Sequence, residues 1–307
     1  MRRLSETAPA GAVRLGSCVV RAGSSSWSER SLVSSGAFYP RRSMSARERL
    51  AYYATRLGMA EIATTYRFPP TPELCAQWAE RTPEGFVFDV RAWSLLTGAP
   101  TFPDSLWPDL HSEVIPARRD SRRLYPSHLS DDALEECWSR FAHALRPLAA
   151  AGRLGAVLLR YPTWFGPRPE SWAELAALPL RLPGVRVAVE LQATGWWEAA
   201  RAEETLEWLE DRGIGFVCVD APEGRPPVVA ATTDLAVVRF SGRRDVPGEP
   251  WTWPYRYRAE ELEGWLPAVR SLAQSSAELH LVCDNCHGSD AVDAATALLA
   301  LVGDRAA

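Results

Sequence analysis

The sequence contains no lysine: all 34 of its basic residues are arginine. That absence excludes a Schiff-base lysine, a lysine general base and a pyridoxal-phosphate anchor. It also excludes a phosphate loop of the type that needs a lysine on the transferred phosphate. Arginine stays protonated at any working pH, so each basic side chain is a fixed cation. Proton transfer falls instead to carboxylates, histidines, tyrosines, thiols or water. Asparagine is almost absent too, with Asn285 the one example, and the richness in Ala, Arg, Gly and Pro reads as a compositional bias. The chemical consequence holds whatever its cause.

No run of 18 apolar residues occurs, so no membrane span is expected. The first 16 residues hold no apolar core of a secretory signal, and they read as a short flexible leader in a cytoplasmic chain. A net charge of −4 argues against nucleic-acid binding by bulk charge. What is present suffices for a large core, at 47% apolar and 10% aromatic over 307 residues.

Strand-like and helix-like segments alternate along the chain. Residues 18–23, 59–64, 86–91, 155–160, 186–190, 215–220, 235–240 and 278–284 read as eight strands. Residues 43–57, 71–81, 130–151, 170–178, 203–212, 259–272 and 290–302 read as helices, several with a cap or a Gly stop. Residues 92–127 form a long Pro- and Trp-rich connection carrying Arg118, Arg119, Arg122 and Arg123, a cluster read as a solvated face. The pattern predicts an α/β fold, a single-domain (β/α)8 TIM-type barrel, irregular between its sixth and seventh strands because residues 221–234 are too Pro-rich for a full helix. The expected organisation is a leader over 1–17, the barrel over 18–303 and a tail at 304–307.

In such a barrel catalytic residues stand at the C-terminal ends of strands. Here those ends carry Glu61, Asp89 with Arg91, Arg160, Glu190, Asp220, Arg239 and Asp284. A ring of satisfied ion pairs would explain any one of them, but charges that are buried must be paired or used. Arg91, Arg160 and Arg239 suit an anionic or polyhydroxylated ligand, and Glu61 and Glu190 could accept hydroxyls or move protons. Trp27, Trp93, Trp164, Trp196 and Trp197 follow strands and could line a pocket, whereas Trp78, Trp138, Trp172, Trp208 and Trp265 lie on helices and read as packing.

Six cysteines in a chain of this kind read as thiols. Cys283-Asp284-Asn285-Cys286-His287 also fits the spacing of covalent haem attachment, a metal site or a redox dithiol. Haem attachment requires export, and a zinc site lacks a fourth ligand, so ordinary thiols are the default and no cofactor or metal is expected. His111, His128 and His143 read as solvated; His287 is the histidine nearest the strand ends.

Several segments together resemble the YecE-like family (domain of unknown function 72), TIM barrels described as sugar-isomerase-related. They are residues 23–27, 61–69 (EIATTYRFP), 78–92 (WAERTPEGFVFDVRA), 154–165, 187–197, 234–243 (DLAVVRFSGR) and 284–288. The resemblance implies retained positions at Gly23, Trp27, Glu61, Tyr66, Glu190, Trp196, Arg239, Gly242, Arg243 and Asn285. It also implies a divergent member. Arg91 stands where the family has Lys, Ala63 where it has Asn or Asp, Leu191-Gln192-Ala193 where it has Phe-Arg-His, and Ser241 where it has His. At residues 284–285 an Asn pair becomes Asp284-Asn285, and His287 replaces an aromatic.

The resulting expectation is a small anionic sugar-like ligand at the barrel mouth, turned over by isomerase- or epimerase-type proton transfer. Glu61 and Glu190 would be catalytic, and Arg91, Arg160, Arg239, Arg243, Asn285, Trp27, Tyr66 and Trp196 would bind substrate. A non-catalytic ligand- or partner-binding barrel and a metal-dependent hydrolase or nuclease stand as the alternatives.

Overall fold

The computed structural model describes residues 10–220, 227–242 and 255–304. Its strands are β1 Ala12–Leu15, β2 Cys18–Ser24, β3 Met59–Ile62, β4 Val87–Arg91, β5 Leu154–Tyr161, β6 Val187–Leu191, β7 Gly215–Val219, β8 Leu235–Phe240 and β9 Glu278–Cys283. Its α-helices are α1 Arg30–Ser35, α2 Ala46–Tyr53, α3 Pro72–Glu80, α4 Asp131–Ala150, α5 Pro169–Arg181, α6 Ala199–Asp211, α7 Ala259–Gly264, α8 Leu266–Ser275 and α9 Asp290–Asp304.

The hydrogen-bonded strand order is β1-β2-β9-β8-β7-β6-β5-β4-β3. This overturns the expected closed eight-stranded barrel. Among the described residues there are nine strands, the series has two ends, and β1 meets β2 antiparallel with Leu15 opposite Cys18. The physical reason lies in β2: one edge pairs parallel with β9, and along Cys18–Arg21 the other pairs with β1. Four residues read as leader thus supply a strand, too short to announce itself by alternation.

The chain gathers into two compact units. The first takes in Met1–Glu61, Glu80–Phe88 and Gly215–Ala307. Its parallel ladder runs β2, β9, β8, β7, and the strands are apolar because both faces are covered, as parallel sheets require. Gly23 sits where β2 touches β3: a Cβ there would lie 2.1 Å from the Met59 carbonyl oxygen, so only glycine fits. Beside it the Tyr53 hydroxyl accepts from the Ser24 amide at 2.8 Å and donates to the Met59 carbonyl at 3.2 Å. Helix α2 opens with a capping box between Ser45 and Glu48. The expected helix 259–272 is two helices, because Pro267 near the start of α8 cannot continue the amide ladder of α7.

The second unit takes in Ile62–Ala79 and Asp89–Ile214. Within it β5 and β6 pair in parallel register, with Arg160 opposite Glu190. The 20-residue helix α4 starts at an N-cap, where Ser130 accepts from the Ala133 amide, and buries Cys137, Trp138, Phe141, Leu145 and Leu148 on one stripe. Each such side chain contributes about 1.5–3 kcal/mol by leaving water. The connection from β4 to α4 is a string of short 3-10 turns, several opened by proline (Pro103, Pro108, Pro116, Pro126). Isolated bridges join Thr101 to Leu124 and Val114 to Leu129.

Candidate functional site

Each unit holds a cluster of strand-end charges. In the first unit, Arg239 near the end of β8 reaches Glu61 on β3. Its Nη1 donates to Oε2 at 2.7 Å and its Nη2 to Oε1 at 3.2 Å, a forked pair in which both partners are essentially inaccessible. Nη1 also donates to Asp284 Oδ2 at 3.3 Å. Asp284 is placed by its own amide, which donates to the Phe240 carbonyl at 2.8 Å. The next residue, Asn285, is buried, and its Nδ2 donates to the Tyr255 carbonyl at 2.8 Å. Asn285 Oδ1 and Ser241 Oγ have no hydrogen-bond partner among the described residues.

Asp220, at the end of β7, is clamped: Tyr257 donates to Oδ2 at 2.6 Å, and the Trp265 indole N–H donates to Oδ1. Burial and the adjoining Asp220 carboxylate push the Tyr257 hydroxyl well above its ordinary value, so it remains the donor. Gly242 has φ +78°, and a Cβ on it would sit 2.8 Å from the Tyr255 side chain; its amide donates to the Tyr257 hydroxyl at 2.7 Å. Trp27 is buried, with its ring against Phe88, and its carbonyl accepts from the Tyr39 hydroxyl. Arg243 lies outside the described residues.

In the second unit, Glu190 at the end of β6 is bound by Arg160 of β5, Nε to Oε1 at 2.8 Å, and by Gln192 Nε2 at 3.0 Å on the same oxygen. The arginine side chain keeps 19% of its surface in solvent against 5% for the glutamate. Tyr66, half-buried in the 3-10 turn after β3, belongs to the same neighbourhood. Burial pushes its hydroxyl up, and the nearby Arg160 and Arg91 charges pull it part of the way back. Arg91, half-buried at the end of β4, has its carbonyl fixed by the Thr65 hydroxyl at 2.6 Å.

Trp196 is placed differently. It is fully buried, stacked on Phe165 and edge-on to Trp172, with its indole N–H donating to the Phe165 carbonyl at 2.5 Å. Trp197 likewise donates to the Leu191 carbonyl at 2.8 Å. The structure therefore groups Arg239, Glu61 and Asp284 in one unit and Arg160, Glu190, Tyr66 and Arg91 in the other. Gln192 and the Tyr257–Trp265 clamp were not expected as functional groups. Gln192 was legible only as a residue two after Glu190 on an extended chain, hence on the same side. The clamp depends on side chains some 37 and 45 positions from Asp220, which no local pattern reveals.

Among the described residues no group of three or more His, Cys, Asp or Glu side chains is placed to hold a metal ion. No helix among them is long and apolar enough to cross a membrane.

The family model described as "Protein of unknown function DUF72" matches residues 21–307. UPF0759 protein YunF of Bacillus subtilis (strain 168) is 27% identical over 280 residues, covering 86% of this chain and 89% of that protein. A crystal structure of a DUF72 family protein from Enterococcus faecalis V583 superposes with a TM-score of 0.73 at 21% identity, covering 92% of this chain and 95% of that one. One from Thermotoga maritima MSB8 gives a TM-score of 0.70 at 25% identity, over 92% and 98% of the two chains.

Proposed function

The chain belongs to the DUF72 family, and on that premise we propose that Tyr66, Arg91, Arg160 and Glu190 bind a small anionic, hydroxylated, sugar-like compound. The observation that carries the reading is the Arg160–Glu190 pair at the strand ends, Nε to Oε1 at 2.8 Å, in which the guanidinium keeps 19% of its surface in solvent. Two part-exposed guanidinium groups offer forked donors to phosphate or carboxylate. The Glu190 carboxylate, bound by Arg160 and Gln192 beside that part-exposed guanidinium, would accept a ligand hydroxyl. In the catalytic form of the proposal Glu190 takes a proton from the carbon beside a carbonyl and returns it to the neighbouring atom, an isomerase- or epimerase-type step. Six cysteines with no disulfide among them suit a reducing cytoplasmic setting.

The test combines binding with exchange. Inorganic phosphate and a panel of aldose and ketose phosphates are titrated while the melting temperature is followed, and each compound is then incubated in D2O and read by NMR. Stabilisation by a phosphorylated sugar, lost in Arg160→Met, together with carbon-bound deuterium that disappears in Glu190→Gln, is the expected result. Stabilisation that Arg160→Met leaves intact removes the anion site, and exchange that survives Glu190→Gln removes the proposed base.

A second reading is favoured by one observation. Both oxygens of Glu61 are already taken by Arg239, which leaves the other candidate carboxylate in a fixed role. A ligand-binding protein without turnover fits that arrangement, and it predicts stabilisation by the ligand with no deuterium incorporation.

A further inference from the structure

Five of the six cysteines are buried, and Cys286 is the one reached by solvent. It lines a small cleft with Ser24, Ser26, Glu29, Leu32 and Gly288. The second cysteine of the pair is held to it through a single residue. The Ser25 amide donates to the Cys283 carbonyl at 3.0 Å, and the Ser25 hydroxyl lies 3.0 Å from Cys286 Sγ. The chain turns tightly around Cys286, with the His287 amide donating to the Asn285 carbonyl at 2.9 Å. Burial pushes the Cys283 thiol up, and the Cys286 sulfur beside it adds to that, as one group near another must.

We propose that Cys286 is a peroxide-modified thiol and that Cys283 resolves it, with hydrogen peroxide or a small hydroperoxide as the oxidant. In the first step the Cys286 sulfur attacks one peroxide oxygen, the O–O bond breaks, and the product is a sulfenic acid plus one water (an alcohol from a hydroperoxide). In the second the Cys283 sulfur attacks the Cys286 sulfur. The S–O bond breaks, the departing hydroxide takes the Cys283 proton, and a second water leaves behind a 283–286 disulfide. Two thiols lose two electrons and the peroxide gains them. Exposure decides the order, because access selects which thiol is oxidised first. Cys283, buried and held in its protonated form, makes the second step the slower one.

The ring so closed contains Asp284 and Asn285, which hold Arg239 and Tyr255. Oxidation therefore pulls on the buried cluster of the first unit, and the oxidised protein is expected to melt at a lower temperature than the reduced one.

The full chain is exposed to a few equivalents of hydrogen peroxide, quenched, alkylated and cut at arginine; residues 271–305 leave as one peptide carrying both cysteines. The expected product is that peptide two hydrogens lighter and unalkylated, with a dimedone adduct on Cys286 at early times. Cys283→Ser should accumulate the sulfenic acid and pass on to the sulfinic acid, and Cys286→Ser should leave Cys283 reduced. Cys283→Ala replaces the serine variant if circular dichroism shows that it does not fold. Equal oxidation of all six cysteines, or wild-type Cys286 going to sulfinic acid with Cys283 still alkylated, overturns the proposal.

Discussion

Arg239 with Glu61 in the first unit, and Arg160 with Glu190 in the second, are the same two side-chain types on strand ends. In the first pair both oxygens of the carboxylate are held and the side chains are 1% and 0% exposed. In the second, Arg160 and Gln192 meet the same carboxylate oxygen, and the arginine is 19% exposed. Taking charges fully out of water costs several kcal/mol per ion and is offset only by close, multiple contacts, which the first pair has. The second pair keeps water at hand, so exchanging that water for a ligand costs little. A charged strand end is therefore a structural device or a binding group according to how much solvent its neighbours leave it.

The largest expected effect tests the closed side. Arg239→Met should take the guanidinium from the fully buried Glu61 and from the part-exposed Asp284, and lower unfolding stability by about 3–5 kcal/mol in urea denaturation. A loss below about 1 kcal/mol would put the two pairs in one class. Next, Tyr257→Phe takes one of two donors from Asp220 and should cost about 1–3 kcal/mol, the penalty for an unsatisfied buried acceptor. On the other side Arg160→Met takes the guanidinium from the buried Glu190 and should cost about 1–3 kcal/mol, while abolishing stabilisation by anions. The smallest effect belongs to the surface. The Arg140 guanidinium, forked onto Asp109 at 2.6 and 2.8 Å, holds that carboxyl below its ordinary value. A lowered folded-state value gives stability that is present above the unfolded value and lost as pH falls through the folded one. Asp109→Asn should thus flatten the acid limb of a melting-temperature profile below about pH 4 and change nothing at neutrality.

Eight of the nine strands were legible because buried parallel strands are short apolar runs between turn signals, as in GAVLLR and LAVVRF. β1 was not, since AVRL is half-exposed and brief, and missing it turned an open order with an antiparallel edge into an expected ring. Helix α1 escaped for a similar reason: its six residues RSLVSS bury only Leu32, and its start rests on Glu29 accepting the Ser31 and Leu32 amides. The candidate site was half legible. Strand-end position picked out Glu61, Glu190, Arg160 and Arg239, because a charge closing an apolar run is visible in one dimension. Which carboxylate meets which arginine is not, as Arg239 and Glu61 are 178 positions apart. Trp196 shows the converse limit: its place just after a strand suggested a pocket wall, and its stacking on Phe165 puts it in the interior.

The string of 3-10 turns between β4 and α4 carries Arg118, Arg119, Arg122 and Arg123, all exposed, between two bridges that tie its flanks together. A peptide bond cut after Arg119 lies inside both bridges, so Thr101 stays joined to Leu124 and Val114 to Leu129 across the break. The segment is thus a seam along which the polypeptide can be opened while its halves stay clasped. New termini made there would begin and end close together, which suits it to circular permutation or to carrying an inserted reporter domain.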